Sequence, residues 1–372
     1  MRVAYLLTQD RGGPVDVTVT LAAALRAADV TVRVFGPPPA RGGELIAGHH
    51  EPLVVTRKGD VGGARRAAAA LRAWRPDVVH AQDRRAGLVV AGLRFQHPVV
   101  VQTYHGVPDD VSEPWLRGAS SPAPSAYTKA VLAADAVVAR ATARTIVPSV
   151  GMGQFLRRRL RVPAHRLAHI DNCVTLPDSA PPTGPVRRLA FAGLLVPRKG
   201  VLHLLEALAT PGTMPADATL TIIGDGPQRA EAERAAARLC GKVTFLGFRQ
   251  DVGRLLAEHD ALVLPSTMEQ QPLVVAEAMA AGKPVVATDT GGVADMVTVP
   301  DAPVYLSPPG DIPALVANLR AVFADPDPGT TGRALATSAR ARFSPETSAR
   351  RHLALYHGLT AGNLTSAGSR LA

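Results

Sequence analysis

Several residue types are scarce in this chain, and each scarcity excludes a class of protein. Aromatic residues make up only 4% of the 372 residues, which argues against a surface that stacks on nucleic-acid bases. The two cysteines, Cys173 and Cys240, are far apart and lack the spacing of a metal site, so we expect reduced thiols in a cytoplasmic protein. No apolar run reaches the roughly 18 residues that a membrane-spanning helix needs. The first residues become polar too soon for a secretory signal, so we expect no export.

Enough apolar sequence remains to build substantial hydrophobic cores. Apolar residues make up 47% of the chain and charged residues 19%, which is typical of a globular protein. Apolar strand-like runs alternate with Ala- and Leu-rich helical patterns, and this alternation predicts α/β domains with parallel sheets. The length favours two such domains.

A proline-rich stretch divides the chain. Residues 177–186 carry too many prolines for a helix or a strand and predict a linker. The linker separates an N-terminal domain, residues 1–176, from a C-terminal domain, residues 187–344. We predict a final helix at residues 345–359 and a loose tail at residues 360–372.

The N-terminal domain contains one long irregular region and one ambiguous strand. Residues 107–125 are rich in Pro, Ser and Asp and predict a long loop. A helix is expected at Val61–Trp74, and the strand near the end of the domain is either Ala136–Val138 or Thr145–Val147.

The N-terminal half carries the whole net charge of +10. Residues 1–176 contain 23 Lys or Arg against 13 Asp or Glu, whereas residues 177–372 contain 18 of each. The densest cluster comprises Arg157, Arg158, Arg159 and Arg161. Such asymmetry favours an anionic partner, such as a membrane surface or an acidic acceptor. The alternative is a general compositional preference, because arginine outnumbers lysine 36 to 5.

The most specific motif lies in the C-terminal domain. A buried strand is predicted at Ala261–Leu264, Glu269 lies in the turn after it, Pro272 suits the first position of a helix, and Glu277 lies within that helix. This arrangement places two carboxylates at the carboxyl edge of a parallel sheet, where α/β proteins bind ligands. The alternative is that both glutamates are simply solvated, as most charged side chains are.

This segment resembles the E-x7-E signature of retaining GT-B glycosyltransferases. Within these enzymes it is similar to the large group that uses nucleotide sugars, the family 4-like glycosyltransferases. The resemblance extends over roughly residues 1–358 and implies two Rossmann-like domains facing a cleft, with the C-terminal helix crossing back to the N-terminal domain. It implies that Glu269 binds hydroxyls of the donor sugar and Glu277 the ribose. Three further positions are implied to bind the donor: Gln271, Pro272 and Leu273.

A strand-turn-helix segment at Phe191–Gly200 also matches the family. The resemblance implies that Gly193 and Lys199, with Arg198, face the diphosphate, where charge-assisted hydrogen bonds are strong. The family usually has arginine after this glycine, and this chain has Leu194. A solvated basic pair at a helix entrance is the alternative. Gly226 and Phe248 match two further donor-binding turns.

The N-terminal domain contributes a second set of matched positions. The Gly12–Gly13 turn after the first strand resembles the family's glycine loop, so that Gly13 is assigned to the donor and Gly12 to the acceptor. His105 resembles the family's histidine, whose contacts reach the transferring sugar. Gln82 and Asp83 end another strand and are candidate acceptor contacts.

The sequence therefore predicts a retaining hexosyltransferase that uses a nucleoside diphosphate sugar as co-substrate and a hydroxyl acceptor. Catalysis is assigned to His105, Glu269 and Lys199, without metal or cofactor. We expect a cytoplasmic protein, peripheral to the inner face of the plasma membrane. A non-catalytic GT-B partner of another transferase and a nucleotide-sugar epimerase are the alternatives. A nicotinamide dehydrogenase is disfavoured because no strand precedes a Gly-x-Gly-x-x-Gly turn.

Overall fold

A computed structural model shows two compact units, each built around its own parallel sheet. It describes residues 1–55, 60–93, 98–119, 121–177, 179–300 and 302–368, with side chains as far as residue 361. Unit 1 comprises Met1–Val174 together with the segment from Pro345, and unit 2 comprises Thr175–Ser344. The prediction of α/β domains with parallel sheets is confirmed.

Seven strands form the sheet of unit 1, and every pairing is parallel. They are β1 (Arg2–Leu6), β2 (Thr31–Gly36), β3 (His50–Pro52), β4 (Val78–Ala81), β5 (Val99–Thr103), β6 (Arg144–Val147) and β7 (Leu167–His169). Their order across the sheet is β3-β2-β1-β4-β5-β6-β7. All residues of β4 and β5 are buried, as expected for central strands that helices cover on both faces.

Six helices connect these strands. They are α1 (Gly13–Ala27), α2 (Val61–Trp74), α3 (Arg84–Ala91), α4 (Glu113–Arg117), α5 (Ala126–Ala141) and α6 (Val150–Arg158). Helices α2 to α6 each follow a polar N-cap residue whose side chain accepts a hydrogen bond from a backbone N–H of the first turn. These residues are Asp60, Asp83, Ser112, Ser125 and Ser149, respectively. Helix α1 follows Gly12 and has no side-chain cap; the N–H groups of Val15 and Asp16 donate to the Gly12 carbonyl instead.

Unit 2 has a six-stranded parallel sheet in the order β10-β9-β8-β11-β12-β13. Its strands are β8 (Arg188–Ala192), β9 (Thr219–Ile223), β10 (Val243–Gly247), β11 (Ala261–Leu264), β12 (Val285–Thr288) and β13 (Tyr305–Ser307). Its helices are α7 (Val201–Ala209), α8 (Arg229–Ala236), α9 (Val252–Ala257), α10 (Leu273–Ala280), α11 (Val293–Val297), α12 (Ile312–Ala324) and α13 (Pro328–Phe343).

The strand order reverses once in each sheet. The reversal lies between β1 and β4 in unit 1 and between β8 and β11 in unit 2. Connections leave such neighbouring strands in opposite directions, so a crevice opens outside their carboxyl ends, where open α/β sheets bind ligands. These two edges are therefore the places to look for functional side chains.

Helix α14 (Pro345–Gly368) belongs to unit 1 although it follows unit 2 in the chain. It packs on α1 and β5. The sequence predicts a loose tail from Thr360, but the helix continues through this residue, whose hydroxyl donates to the carbonyls of Tyr356 and His357. Residues 369–372 lie outside the described part.

The structure differs from the sequence prediction in two places in unit 1. The predicted loop at residues 107–125 contains helix α4, because Ser112 caps it and Pro114 fits its first turn. The alternative strand Ala136–Val138 is wrong, since these residues lie inside α5, whereas Thr145–Val147 lies within β6. A short apolar run cannot by itself distinguish a strand from a buried helical segment.

The proline-rich segment belongs to unit 2 and packs on the rest of that unit over part of its length. The hydroxyl of Ser179 donates to the carbonyl of Ala281 at 3.2 Å, and the ammonium of Lys283 donates to that of Ala180 at 2.8 Å. Residue 178 lies outside the described residues. Because Lys283 is buried and paired in this way, the predicted linker is anchored at the end of α10.

Candidate functional site

The carboxyl ends of β8 and β11 bring together two of the charged residues that the sequence singled out in unit 2. The ammonium of Lys199 donates to Oε1 of Glu269 at 2.5 Å. Their side chains are only 14% and 7% exposed. A nearly buried ion pair is costly to desolvate, and this one lies at the reversal of strand order, where open α/β sheets bind ligands, so the pair is a candidate functional site.

Glu269 is held in place from two sides. Its Oε1 also accepts a hydrogen bond of 2.7 Å from the hydroxyl of Ser266, whose own carbonyl accepts from Thr288. Gly291 packs on the backbone of Glu269, where a Cβ would lie 2.1 Å from the Glu269 carbonyl oxygen. Only glycine fits there, and Gly291 also has a positive φ of 53°. The carboxylate direction is therefore fixed by its surroundings.

Helix α10 carries the second glutamate. Pro272 occupies the N-cap position rather than the first helical position, and no side chain caps the helix. Glu277 lies one turn after Leu273 on the same face and is half-buried, and its side chain tilts towards the helix start. Gln271 is buried just before the helix. The uncapped N–H groups of α10 favour an anion at this edge.

The turn after β8 positions the basic pair. The aliphatic part of Lys199 runs over Gly193, where a Cβ would lie 3.7 Å from Cδ. Arg198 is half-buried, and its carbonyl accepts from the backbone N–H of Thr267 at 2.8 Å. Helix α7 follows without a side-chain cap. Leu194 is 54% exposed on this turn, so an apolar side chain faces solvent where the resembling family has a cation.

The two other predicted donor-binding turns differ in character. Gly226 packs on Leu195, and a Cβ at Gly226 would lie 2.5 Å from the Leu195 carbonyl oxygen. It therefore keeps the turns after β8 and β9 in contact. Phe248 follows β10 and is 67% exposed, so its ring is available to a ligand.

In unit 1, two glycines lie where the turn after β1 leads into α1. Gly12 has a φ of 98°, and Gly13 is the first helical residue. Asp83 lies at the facing end of β4, and both of its carboxylate oxygens are used within unit 1. They accept from the backbone and hydroxyl of Thr8 at 2.5 and 2.6 Å, and from the backbone of Ala86 at 2.9 Å. Asp83 therefore holds this edge together.

His105 lies just beyond the end of β5 and is half-buried. Its Nε2 is 2.9 Å from Oε1 of Gln82. Burial, together with the nearby His352, lowers the pKa of His105 to about 3, so the ring is neutral at pH 7. Gln82 is itself buried and contacts His105 directly.

Sequence reasoning missed the residues that fix the His105 segment. Arg84 donates to the Gly106 carbonyl at 2.6 Å and to the Asp135 carboxylate at 2.9 Å. The hydroxyl of Tyr104 donates to the same carboxylate at 2.7 Å. These residues are 20 to 51 positions from Arg84, and no local pattern indicates such contacts; only the order of the strands brings them together.

Comparison with known proteins adds to this geometry. Residues 11–176 match the family model described as Glycosyltransferase Family 4, and residues 186–325 match the model described as Glycosyl transferases group 1. Together the two matches cover most of both units. The chain belongs to the family 4-like glycosyltransferases.

Curated relatives of this family 4-like chain include two bacterial proteins. A 2-deoxystreptamine glucosyltransferase of Streptomyces kanamyceticus is 35% identical over 149 residues, which is 39% of this chain and 38% of the relative. A glycogen synthase of Mycobacterium tuberculosis is 32% identical over 270 residues, which is 68% of this chain and 62% of the relative. The chain therefore spans less than two thirds of the length of these relatives.

Solved structures share the fold of this family 4-like chain. The Anabaena protein HepE, crystallised with UDP and glucose, superposes with a TM-score of 0.78 at 20% identity, covering 96% of this chain and all of that one. A sucrose-phosphate synthase from Thermosynechococcus elongatus superposes with a TM-score of 0.78 at 22% identity, covering 97% and 99%. Both agree with a GT-B fold built from Rossmann-like domains.

Two further observations on this family 4-like chain concern metals and membranes. Among the described residues, no cluster of three or more His, Cys, Asp or Glu side chains is arranged to hold a metal ion. Within the same part of the chain, no helix combines the length and apolar character that crossing a bilayer requires.

Proposed function

We propose that this protein is a retaining hexosyltransferase that moves a sugar from a nucleoside diphosphate sugar to a hydroxyl acceptor. The observation that carries the proposal is the nearly buried Lys199–Glu269 pair at the reversal of strand order in unit 2. Its position suits a ligand that presents phosphate charge beside sugar hydroxyls. The glycosyltransferase relatives support the same class of reaction. Three structures of HepE contain UDP with glucose, UDP alone and UDP-glucose, respectively.

The unit 2 residues are assigned by their chemistry. An ammonium has three N–H donors, so Lys199 can serve Glu269 with one and a diphosphate oxygen with another, while Arg198 adds charge nearby. Glu269 accepts hydrogen bonds from hydroxyls of the donor sugar, and Glu277 from those of the ribose. Phe248 presents its ring to the base. The remaining positions line the donor through their backbone or apolar surface: Gly193, Gly226, Gln271, Pro272 and Leu273.

For unit 1, we assign His105 to the transferring sugar, Gly13 to the donor and Gly12 to the acceptor. The acceptor hydroxyl forms a bond to the anomeric carbon on the same face from which the diphosphate departs. The bond between that carbon and the leaving phosphate oxygen breaks, and this oxygen takes the acceptor's proton. The reaction balances without a carboxylate base, a metal or a cofactor.

The first experiment identifies the donor. Thermal unfolding is recorded with UDP-, GDP-, ADP- and TDP-sugars, since a ligand that binds only the native chain raises the melting temperature. Transfer to a panel of hydroxyl acceptors is then assayed with the stabilising donor. Glu269→Gln and Lys199→Met are expected to reduce turnover at least about a hundredfold. Glu231→Gln, an exposed change in the same unit, serves as the control.

The assay also separates the rival functions. Stabilisation by a nucleotide sugar without turnover on any acceptor would support a non-catalytic GT-B partner, which the exposed Leu194 favours. Donor conversion in the absence of an acceptor would support an epimerase. Acceptor-dependent transfer that survives in both Glu269→Gln and Lys199→Met would overturn the assigned site.

We also propose a peripheral site on the cytoplasmic face of an anionic membrane. The four arginines at the end of α6 and in the following turn, Arg157, Arg158, Arg159 and Arg161, are all exposed. The guanidinium of Arg159 lies 4.7 Å from the ring centre of Trp115, which is half-buried. A tryptophan beside several cations suits a lipid headgroup layer.

Vesicles test this surface. Anionic vesicles should sediment the protein at low salt and release it at high salt. Arg157→Gln with Arg158→Gln should weaken binding about thirtyfold, since each basic residue near such a surface contributes about 1 kcal/mol, about 2 kcal/mol for the pair. Arg234→Gln with Arg238→Gln, exposed arginines of unit 2, provides the control. Equal binding to neutral vesicles would contradict the proposal.

A further inference from the structure

Buried polar side chains form a hydrogen-bonded chain beneath His105 in unit 1. Nε2 of His105 is 2.9 Å from Oε1 of Gln82, and Nε2 of Gln82 is 3.5 Å from Nε2 of His80. Nδ1 of His80 is 2.6 Å from the hydroxyl of Tyr356, which is 3.1 Å from that of Tyr5. Gln82, His80, Tyr356 and Tyr5 are each at most 1% exposed. This series of hydrogen-bonded side chains therefore leads from His105 to helix α14 through residues that are shielded from solvent.

The charge state of the two histidines restricts this chain. Burial lowers the pKa of His80 well below its ordinary value and that of His105 to about 3, so both rings are neutral at pH 7. A neutral imidazole has one N–H and one lone pair. The Gln82 amide must therefore accept from one histidine with its oxygen and donate to the other with its nitrogen.

The orientation of the amide decides the tautomer of His105. Oε1 of Gln82 faces His105 and can only accept, so the hydrogen of His105 is on Nε2. The amide nitrogen donates to Nε2 of His80, whose other nitrogen then donates to Tyr356. The hydroxyl of Thr103 lies 2.7 Å from the same Nε2 of His80, so the one lone pair of this nitrogen is shared between two donors.

The backbone around His105 is fixed too. Arg84 binds the carbonyl of Gly106, and Tyr104 is tied to Asp135, so the residues on both sides of His105 are anchored. Within the described part of the chain, Nδ1 of His105 has no hydrogen-bond partner. The ring is thus set in direction, with a single lone pair uncommitted.

We propose that Gln82 is a positioning residue that holds His105 as the neutral Nε2–H tautomer, so that Nδ1 accepts a hydrogen bond from a hydroxyl of the bound sugar. The identity of the ligand rests on the function proposed above, whereas the tautomer does not. Gln82, which the sequence predicted as an acceptor contact, acts through His105 instead. A sugar that lacks the hydroxyl facing Nδ1 loses this contact and is discriminated against.

The tautomer can be observed without turnover. The full chain is labelled with ¹⁵N-histidine, and long-range ¹H–¹⁵N correlation spectra are recorded at pH 7.5. The signals of His105 are assigned by their loss in His105→Asn. We expect the pattern of an Nε2–H tautomer in the native chain, a mixture of tautomers in Gln82→Met, and retention of the Nε2–H form in Gln82→Glu, which keeps an accepting oxygen.

The outcomes separate this inference from the proposed function. An Nδ1–H tautomer in the native chain overturns it, as does a spectrum of Gln82→Met that matches the native chain. If Gln82→Met fails to fold, loss of the Nε2–H form in folded Gln82→Glu overturns it equally. Should no glycosyl transfer be found, the spectra still decide the tautomer.

Kinetics provide a second readout once the donor is known. Gln82→Met should lower kcat/KM about tenfold, the loss of roughly one hydrogen bond in the transition state, and Gln82→Glu should restore most of it. Gln154→Met changes an exposed glutamine of α6 in the same unit and should have no effect. An equal loss in Gln82→Met and Gln82→Glu would contradict a role through His105.

Discussion

At the scale of single residues, the exposed Leu194 is the clearest departure from the resembling family. Its turn already holds Lys199 and Arg198, and the helix behind it lacks a side-chain cap. Because Lys199 also pairs with Glu269, part of its charge is already balanced. The side of the site proposed to bind the diphosphate is therefore less positive than the number of basic residues suggests.

Replacing this leucine should strengthen donor binding. Leu194→Arg places a guanidinium on the same turn as Lys199, and we expect the KM for the nucleotide sugar to fall about threefold to tenfold. Steady-state kinetics at saturating acceptor measure the effect. Leu246→Arg changes an exposed leucine on β10 and controls for added charge. A KM unaffected by Leu194→Arg, or lowered equally by both, would show that the diphosphate does not lie at this turn.

The Lys199–Glu269 pair should be strongly coupled in stability. Removing one partner of a nearly buried pair leaves the other charge unpaired and costs about 3 kcal/mol. In a double-mutant cycle with Lys199→Met and Glu269→Gln, we expect a coupling energy of about 1–3 kcal/mol in urea unfolding. The exposed pair Arg229–Glu233, also 2.5 Å apart, should give about 0.3–0.5 kcal/mol. Equal coupling energies in the two cycles would contradict the claim that burial strengthens the Lys199–Glu269 pair.

At the scale of elements, local signals predicted what local interactions determine. The helix predicted at Val61–Trp74 has those bounds as α2, because Asp60 caps its start. The short helix α3 and the short strands β3, β7 and β13 were not predicted, since three to eight residues carry too little periodicity.

The candidate site shows the same division. Lys199 and Glu269 could be selected from their motifs, but their pairing could not. They are 70 positions apart, and their contact exists because β8 and β11 are neighbours in the sheet. The contact of Gln82 with His105 could not be predicted for the same reason. Its side chain meets His105 only because β4 and β5 are paired in the sheet.

The hydroxyl of Tyr356 joins helix α14 to β1 and β4 of the unit 1 sheet. Tyr356→Phe removes the partner of His80 Nδ1 and of the Tyr5 hydroxyl, which should cost about 1–3 kcal/mol because buried polar groups are left unpaired. Tyr127→Phe, on the exposed surface of α5, should change the unfolding free energy by less than about 0.5 kcal/mol. Urea unfolding of both variants measures the difference, and equal effects would contradict the role of this hydroxyl.

At the scale of the whole molecule, buried histidines make stability depend on pH. Burial lowers the pKa of His352 to about 4 from its ordinary 6.5, and lowers that of His80 as well. Between these values the unfolded chain binds more protons than the folded chain, so the free energy of unfolding falls as the pH falls. Each histidine contributes at most about 1.4 kcal/mol per pH unit.

Urea unfolding at pH 7 and pH 5 tests this dependence. We expect a loss of about 2 kcal/mol for each buried histidine, and a smaller loss in His352→Gln. The exposed His165, changed to glutamine, is the control. Asp260 affects stability in a different pH range. Burial would raise the pKa of its carboxyl, but hydrogen bonds from Arg188 and Arg187 lower this pKa. Its contribution to the free energy of unfolding therefore changes only below about pH 4. An unchanged pH slope in His352→Gln would contradict the assignment.

The return of α14 to unit 1 has a consequence for biosynthesis. Tyr5 and His80 emerge early from the ribosome, but the hydroxyl that satisfies both belongs to Tyr356. In the sequence, all of unit 2 lies between the first segment of unit 1 and Tyr356. Unit 2 can therefore finish folding during translation while the core of unit 1 still lacks α14. The half that is synthesised first is completed last, and nascent chains stalled before α14 should bind chaperones through unit 1.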